Sequence, residues 1–131
     1  MKQLMVVTAG LSQPSTTREV ADEIAAAVRS AVGGRGENLE VTTIEVREYA
    51  TELTQLMLTG MPSRRLDQVK RDISAADALV AVSPVFQGSY SGLFKMFFDA
   101  LDPNALTDMP TIVAATAGSE RHSLVTEYAL R

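Results

Sequence analysis

Hydroxyl side chains cluster directly after a short apolar run and a glycine, Gly10. The cluster comprises Ser12, Ser15, Thr16 and Thr17. At the start of a helix, free backbone N–H groups and the helix dipole favour an anion, and hydroxyls add neutral hydrogen bonds to phosphate oxygens. The alternative interpretation is that Thr16 caps the helix and residues 12–15 form a turn. This stretch alone supports both interpretations equally.

The same loop lacks the features that hold a nucleoside triphosphate. It contains one glycine and no lysine, so neither the dinucleotide-binding nor the triphosphate-binding glycine spacing is present. Without the lysine and a Ser or Thr that binds Mg²⁺, ATP or GTP hydrolysis is disfavoured. If the loop binds an anion, a terminal phosphate held without metal is the expected one.

A second candidate stretch, residues 84–92, also follows an apolar run. Pro84 stiffens it, and Gly88 lets backbone approach a flat ligand closely. Phe86 and Tyr90 are suited to flank a ring system whose polar edge Gln87 and backbone N–H groups would bind. The alternative is an ordinary loop whose aromatic side chains pack on the next helix.

The helix after this loop carries further aromatic and charged residues. The spacing of Phe94, Phe97 and Phe98 on an apolar helix favours the core or a subunit interface over a ligand site. Lys95 lies on the same helix among apolar neighbours, and we expect it to pair with an acidic residue rather than to contact a ligand.

A third candidate stretch, residues 117–122, has small residues against which a ring can lie, including Gly118. His122 is the only histidine, and its spacing from serine and aspartate residues shows no Ser–His–Asp arrangement. The chain has no cysteine, so thiolate catalysis and cysteine-based metal sites are excluded. We therefore name no catalytic acid or base and no metal ligand.

The elements that position these loops alternate between strands and helices. Apolar or β-branched runs predict four strands, at residues 4–9, 39–46, 77–83 and 110–116. Helical patterns lie between and after them, at residues 16–32, 49–58, 63–76, 93–101 and 120–131. This alternation predicts one α/β domain, residues 1–131, with a doubly wound parallel sheet and helices on both faces.

The first helix of this pattern carries signals at both ends. Thr16 and Glu19 have capping-box spacing, which predicts that the first helix begins at Thr16 or one residue earlier. Gly33 and Gly34 should end it. In such sheets ligands bind beyond the carboxyl ends of the strands, which is where all three candidate loops would lie if strands one, three and four are neighbours.

Composition limits the classes of partner. The net charge of −4 argues against nucleic acid and against an anionic membrane surface, because both need a basic surface. No apolar run approaches the roughly 18 residues of a membrane span. The N-terminus lacks a basic-then-apolar leader. A cytoplasmic protein is expected.

Three stretches together resemble the NAD(P)H-dependent FMN reductase family, which has a flavodoxin-like fold. Residues 10–17 lie where that family has its phosphate loop. Residues 83–103 are similar to its T/S-P-x-Y/F loop and the helix that follows, and residues 115–123 are similar to the A-T-G-G-x-x-x-H-S stretch of the branch that supplies reduced flavin to monooxygenases. The order and spacing of the stretches carry the resemblance.

The resemblance implies a cofactor, FMN, and a reductant, NADPH or NADH. The FMN phosphate would be bound by Ser12, Ser15, Thr16 and Thr17. The isoalloxazine ring would lie along Pro84, Val85, Phe86, Gln87, Gly88 and Gly118. Reduced FMN would leave for a flavin-dependent monooxygenase. The alternatives are a reductase that retains FMN and acts on a quinone, azo dye or metal ion, and a non-catalytic flavin-binding module.

The family continues beyond the point where this chain stops, Arg131, with a fifth strand and a last helix. A C-terminally truncated member, with strand order 2-1-3-4 and no fifth strand, is therefore expected. The strand at residues 110–116 would then be an exposed apolar edge, which invites pairing with another chain. We expect either a homo-oligomer that covers this edge or weakened flavin binding.

Overall fold

The protein is described by a computed structural model that covers residues 1–11, 15–86 and 89–117. The strands are β1 (Lys2–Thr8), β2 (Leu39–Glu45), β3 (Ala78–Phe86), β4 (Ser89–Tyr90) and β5 (Thr111–Thr116). The helices are α1 (Thr16–Gly33), α2 (Ala50–Thr59), α3 (Arg64–Ser74) and α4 (Gly92–Asp99), with a 3₁₀ turn at Val46–Tyr49. The predicted helix at residues 120–131 lies outside the described residues.

Four strands form a parallel sheet in the order β2-β1-β3-β5. Strand β1 pairs in parallel with β2 on one side and with β3 on the other. Strand β5 pairs in parallel with β3, from Leu79↔Thr111 to Pro84↔Thr116. The predicted order 2-1-3-4 is confirmed, since β5 is the fourth parallel strand. Strand β2 lies at one edge, as its polar positions indicate.

Helices cover both faces of the sheet, which gives three layers. The side chains of β1 alternate: Leu4 and Val6 pack with Ala21 and Ala25 of α1, whereas Met5 and Val7 pack with the face that carries α2, α3 and α4. Alternation follows from the two-residue period of a strand. Burial of each large apolar side chain stabilises the fold by about 1.5–3 kcal/mol. The flavodoxin-like α/β architecture is thus present.

Helix α1 begins at the predicted position, although its cap is not the predicted capping box. Helix α1 begins at Thr16, but its N-cap is Ser15, whose Oγ accepts a hydrogen bond from the Arg18 amide. The Thr16–Glu19 capping box is therefore wrong, because it requires Thr16 in the cap position. Gly34 caps the other end of α1. In the described ranges, no helix is both long and apolar enough to cross a membrane.

The third strand is longer than the sequence indicates. Residues 77–83 are the predicted strand and residues 84–92 the predicted loop, whereas β3 continues to Phe86 and then pairs antiparallel with β4. Pro84 is compatible with the extended backbone of a strand, and it lies at the last position of the β3–β5 ladder, where it pairs with Thr116. The second candidate loop is therefore a tight hairpin.

Candidate functional site

The carboxyl ends of β1, β3 and β5 lie side by side. Thr8, the last residue of β1, pairs with Val82 of β3, and Pro84 of β3 pairs with Thr116, the last residue of β5. The amide of Ala9 also donates to the carbonyl of Val82, at 3.0 Å. Since each candidate loop follows one of these strands, the sheet brings the starts of all three loops to one edge, as predicted.

Gly10 allows the first loop to pass close to the start of α1. A Cβ atom at Gly10 would collide with Ser15 Oγ and would lie 3.1 Å from Thr17 Cβ. Both of these side chains are buried, so neither can move into solvent to make room. This close approach of Gly10 to the first turn of α1, the Gly10 cradle, is possible only because glycine has no Cβ.

The start of α1 has hydrogen-bond donors that are suited to an anion. Ser15 Oγ accepts from the Arg18 amide at 3.1 Å, and the Ser15 carbonyl accepts from the Glu19 amide. The amides of Thr16 and Thr17 begin the helix and have no carbonyl acceptor within it. These amides, the helix dipole and the remaining O–H of Ser15 fit a phosphate monoester without any lysine or metal ion.

The predicted phosphate ligands differ in how they are placed. Thr16 is exposed, and Ser15 is buried at 5% exposure. Thr17 is buried, and its Oγ1 lies 3.0 Å from Thr116 Oγ1 in a hydrogen bond. Ser12 lies outside the described residues. The structure therefore brings Ser15, Thr16 and Thr17 together at the helix start, with the Thr17 hydroxyl turned towards β5.

The Arg18 side chain, in the first turn of α1, forms ion pairs with carboxylates. Its guanidinium lies 2.8 Å from Asp22 and 3.3 Å from Glu45, and Arg47 lies 3.4 Å from the same Glu45. The hydrogen bond to Asp22 raises the pKa of Arg18, and Coulombic attraction to Asp22 and Glu45 acts in the same direction. The carboxylates of Asp22 and Glu45 therefore offset the positive charge of Arg18 beside the helix start.

The second loop is braced by two buried serines that the sequence analysis did not single out. Ser83 Oγ accepts from the Ser91 amide at 3.0 Å and donates to the Pro84 carbonyl at 2.9 Å. Ser91 Oγ accepts from the Phe94 amide and caps α4. The available signal was a hydroxyl at the end of an apolar run, which Thr8, Ser83 and Thr116 share.

The residues predicted to lie along a flat ring are placed in part. Pro84 and Val85 are half-buried at the end of β3, where Val85 pairs with Tyr90. Gln87, Gly88 and the side chain of Phe86 lie outside the described part of the chain, as does Gly118 of the third loop. Pro84 and Val85 therefore lie together at the end of β3. The contact of all six residues with the ring stays a prediction.

The aromatic side chains of α4 pack inward. Phe94 and Phe97 are buried in the core, which confirms the prediction for these two. Tyr90 packs on Phe94 with ring centroids 5.8 Å apart, which favours packing on the helix over flanking a ligand. Lys95 pairs with Asp99 at 2.9 Å, as expected, and the hydrogen bond to Asp99 raises the pKa of Lys95.

Comparison with known proteins identifies the relatives of the chain. The family model described as NADPH-dependent FMN reductase matches residues 1–131. Among curated proteins, the chain is 35% identical to an FMN reductase (NADPH) of Pseudomonas aeruginosa, covering 98% of this chain and 67% of the relative. It is 34% identical to the NADH-dependent FMN reductase SfnE of Pseudomonas putida, covering 98% and 66%. The chain thus spans about two thirds of the length of these relatives.

Solved structures agree with the sequence comparison. An oxidoreductase from Corynebacterium diphtheriae is 56% identical and superposes with a TM-score of 0.98, covering 100% of this chain and 72% of that one. The apo form of an NADH:FMN oxidoreductase, EMOB, is 26% identical with a TM-score of 0.87, covering 100% and 66%. Both similarities extend over the whole of this chain.

Proposed function

The chain belongs to the NADPH-dependent FMN reductase family, and we propose that it transfers hydride from NADPH or NADH to FMN. One observation carries the proposal at the level of the site. The Gly10 cradle, the start of α1 and the end of β3 meet at one edge of the sheet, and this arrangement supports a phosphate site beside a strand end suited to a flat ring.

The phosphate of FMN is bound, in this proposal, by the first loop. Ser12, Ser15 and Thr16 surround it with hydroxyls, and Thr17 contributes its backbone amide at the helix start. The buried position of Ser15 and the lack of room at Gly10 support this, because they fix Ser15 against Gly10 at the start of α1. Without a lysine or a free arginine, binding of moderate strength is expected, as suits a flavin that exchanges.

The isoalloxazine ring lies along the second and third loops in the same proposal. The contact residues would be Pro84, Val85, Phe86, Gln87, Gly88 and Gly118. Bound FMN supplies the redox chemistry by accepting a hydride from the reduced nicotinamide. The contribution of the chain is to hold the ring against the nicotinamide and to exclude side reactions, so no side chain is assigned as acid or base.

Both NADPH and NADH are candidate reductants, since relatives are named for each. Arg18 is a poor candidate for a 2′-phosphate contact, because Asp22 and Glu45 already bind its guanidinium. We propose that reduced FMN is passed to a partner, such as a flavin-dependent monooxygenase. We also propose a cytoplasmic location.

We propose a homo-oligomer in which a second copy covers the outer edge of β5. Among the described residues no strand pairs with the outer edge of β5, and Thr111 and Ile112 there are exposed. A mainly apolar cavity of about 310 Å³ adjoins this edge between β5 and α4. A second copy would cover both. Light scattering after gel filtration tests this, and a monomer that binds FMN tightly would contradict it.

One assay separates the candidate functions. FMN is titrated while its absorbance is followed, and NADPH or NADH is then added with and without excess FMN. Turnover that saturates with free FMN supports the FMN reductase. Turnover only with a quinone, azo dye or metal ion supports a reductase that retains FMN, and binding without oxidation of the nicotinamide supports a flavin-binding module. Absence of flavin binding would refute all three.

A further inference from the structure

A pair of hydroxyls joins the first turn of α1 to the last residue of β5. Thr17 Oγ1 and Thr116 Oγ1 are 3.0 Å apart, although the residues are 99 positions apart in the chain. Thr17 is 4% exposed and Thr116 is half-buried, so this hydrogen bond is shielded from competition with water. Either oxygen can be the donor.

The position of this pair relates it to all three loops. Thr17 is the second residue of α1, just after the first loop. Thr116 pairs with Pro84, where the second loop starts, and is followed by Ala117, where the third loop starts. The described structure shows one side-chain hydrogen bond between the first loop and the β5 end, and it is this one.

We propose that the Thr17–Thr116 hydroxyl pair is a positioning contact that holds the start of α1 in register with the end of β5. The inference rests on the proposed flavin site. It divides the role of Thr17 in two: the backbone N–H is available to the phosphate, while the hydroxyl acts through Thr116. Thr17 and Thr116 therefore act as one unit, and the Thr17 side chain is not itself a phosphate ligand.

The physical effect is pre-organisation. With the hydroxyl pair intact, the start of α1 and the end of β5 are already in register, and less conformational entropy is lost when FMN binds. A net hydrogen bond contributes about 1 kcal/mol, which corresponds to about fivefold in a binding constant. The pair can therefore raise flavin affinity by up to about fivefold, and either partner is equally necessary.

The test is a double-mutant cycle on the whole chain. Thr17→Val, Thr116→Val and the double variant keep the side-chain shape and remove one or both hydroxyls. FMN and riboflavin dissociation constants are measured by flavin fluorescence. We expect the two single variants to weaken FMN by the same factor, up to about fivefold, and the double variant to be no weaker than either. For riboflavin also, the two single variants should agree with each other.

Serine variants separate the hydroxyl from the methyl group. Thr17→Ser and Thr116→Ser should bind FMN within about twofold of the unaltered chain, because they keep the hydrogen bond. Loss of affinity in the serine variants as large as in the valine variants would overturn the proposal. So would a Thr17→Val effect that is large and specific to FMN while Thr116→Val has none, since Thr17 would then contact phosphate directly.

Two further outcomes also count against it. Additive effects in the double variant would show that the residues act separately. A lowered free energy of unfolding with unchanged FMN affinity would make the contact merely structural. These results leave the proposed function intact, because that function fails only if the unaltered chain does not bind FMN or does not oxidise a nicotinamide.

Discussion

Two strand-to-helix junctions in this molecule contain the same kind of capping hydrogen bond but differ in the contacts around it. The first junction runs from Thr8 at the end of β1 to Arg18 in α1, and the second from Ser83 in β3 to Phe94 in α4. In each, a buried serine caps the helix by accepting from the amide three residues later. The difference lies in what surrounds the cap.

At the second junction the serine hydroxyls are used in hydrogen bonds within the junction itself. Ser83 Oγ both donates and accepts, and one of its partners is the amide of the cap residue, Ser91. At the first junction the Ser15 hydroxyl makes only the cap bond among the described contacts, and the Gly10 cradle lies beside it. The first junction therefore keeps a serine O–H and helix-start amides that its own described contacts do not use, and this difference supports the proposed phosphate site there.

The largest effect is expected from filling the cradle. Gly10→Ala places a Cβ against Ser15 Oγ, so the loop must shift and FMN affinity should fall by about a hundredfold. Isothermal titration with FMN measures this. The matched control is Gly92→Ala at the second junction, where a Cβ meets no atom within 4 Å and FMN affinity should not change. Equal effects of the two substitutions would remove the distinction between the junctions.

The next largest effect is expected at the second junction. Ser83→Ala leaves the buried Ser91 amide without its acceptor, which should lower the free energy of unfolding by about 2 kcal/mol. Urea denaturation measures the change. Ser91→Ala is the comparison, since loss of a helix cap alone costs about 1 kcal/mol. If Ser83→Ala costs less than Ser91→Ala, the second junction is not held by Ser83.

The cap of the first junction can be separated from its role as a ligand site. Ser15→Ala should lower the free energy of unfolding by about 1 kcal/mol. Ser15→Asp should restore that stability, because aspartate is a good N-cap, yet lower FMN affinity by about tenfold or more by repelling the phosphate. Riboflavin, which has no phosphate, is the control ligand. Weakening of riboflavin by Ser15→Asp to the same degree would contradict a phosphate at this position.

The smallest effect is expected at Thr8. Its Oγ1 is buried and has no hydrogen-bond partner among the described residues, unlike the hydroxyl of Ser83. Thr8→Val removes a desolvated hydroxyl without changing shape, so the free energy of unfolding should rise by about 0.5 kcal/mol. Thermal and urea unfolding measure it. A loss of stability would show that the hydroxyl has a partner outside the described part of the chain.

Much of the fold could be predicted from local pattern. Apolar runs mark β1, β3 and β5, and glycines and serines mark the ends of α1, α3 and α4, because these signals depend on residues close together in the chain. The capping box at Thr16 was wrong because the cap depends on the backbone at Ser15, which is extended at φ −112° and ψ 122°. The hairpin at β4 was missed because a two-residue strand has no period.

The candidate site was predictable only as a set of loops. Ser15, Thr16 and Thr17 do lie at the helix start, and Pro84 and Val85 at the end of β3. The partner of each hydroxyl was not predictable, since Thr17 and Thr116 meet across 99 positions. Ser83 was passed over because a serine at a strand end becomes informative only when its acceptor and donor are known.

The sequence by itself determined the alternation of strands and helices, and hence the edge at which the three loops meet, because periodicity and turn residues act locally. The tertiary structure alone decided which hydroxyls are available to a ligand and which are held by the protein. That division depends on how β3 and β5 pair and on how closely Gly10 passes α1. A side chain's direction in a packed core is set by neighbours that are distant in the chain.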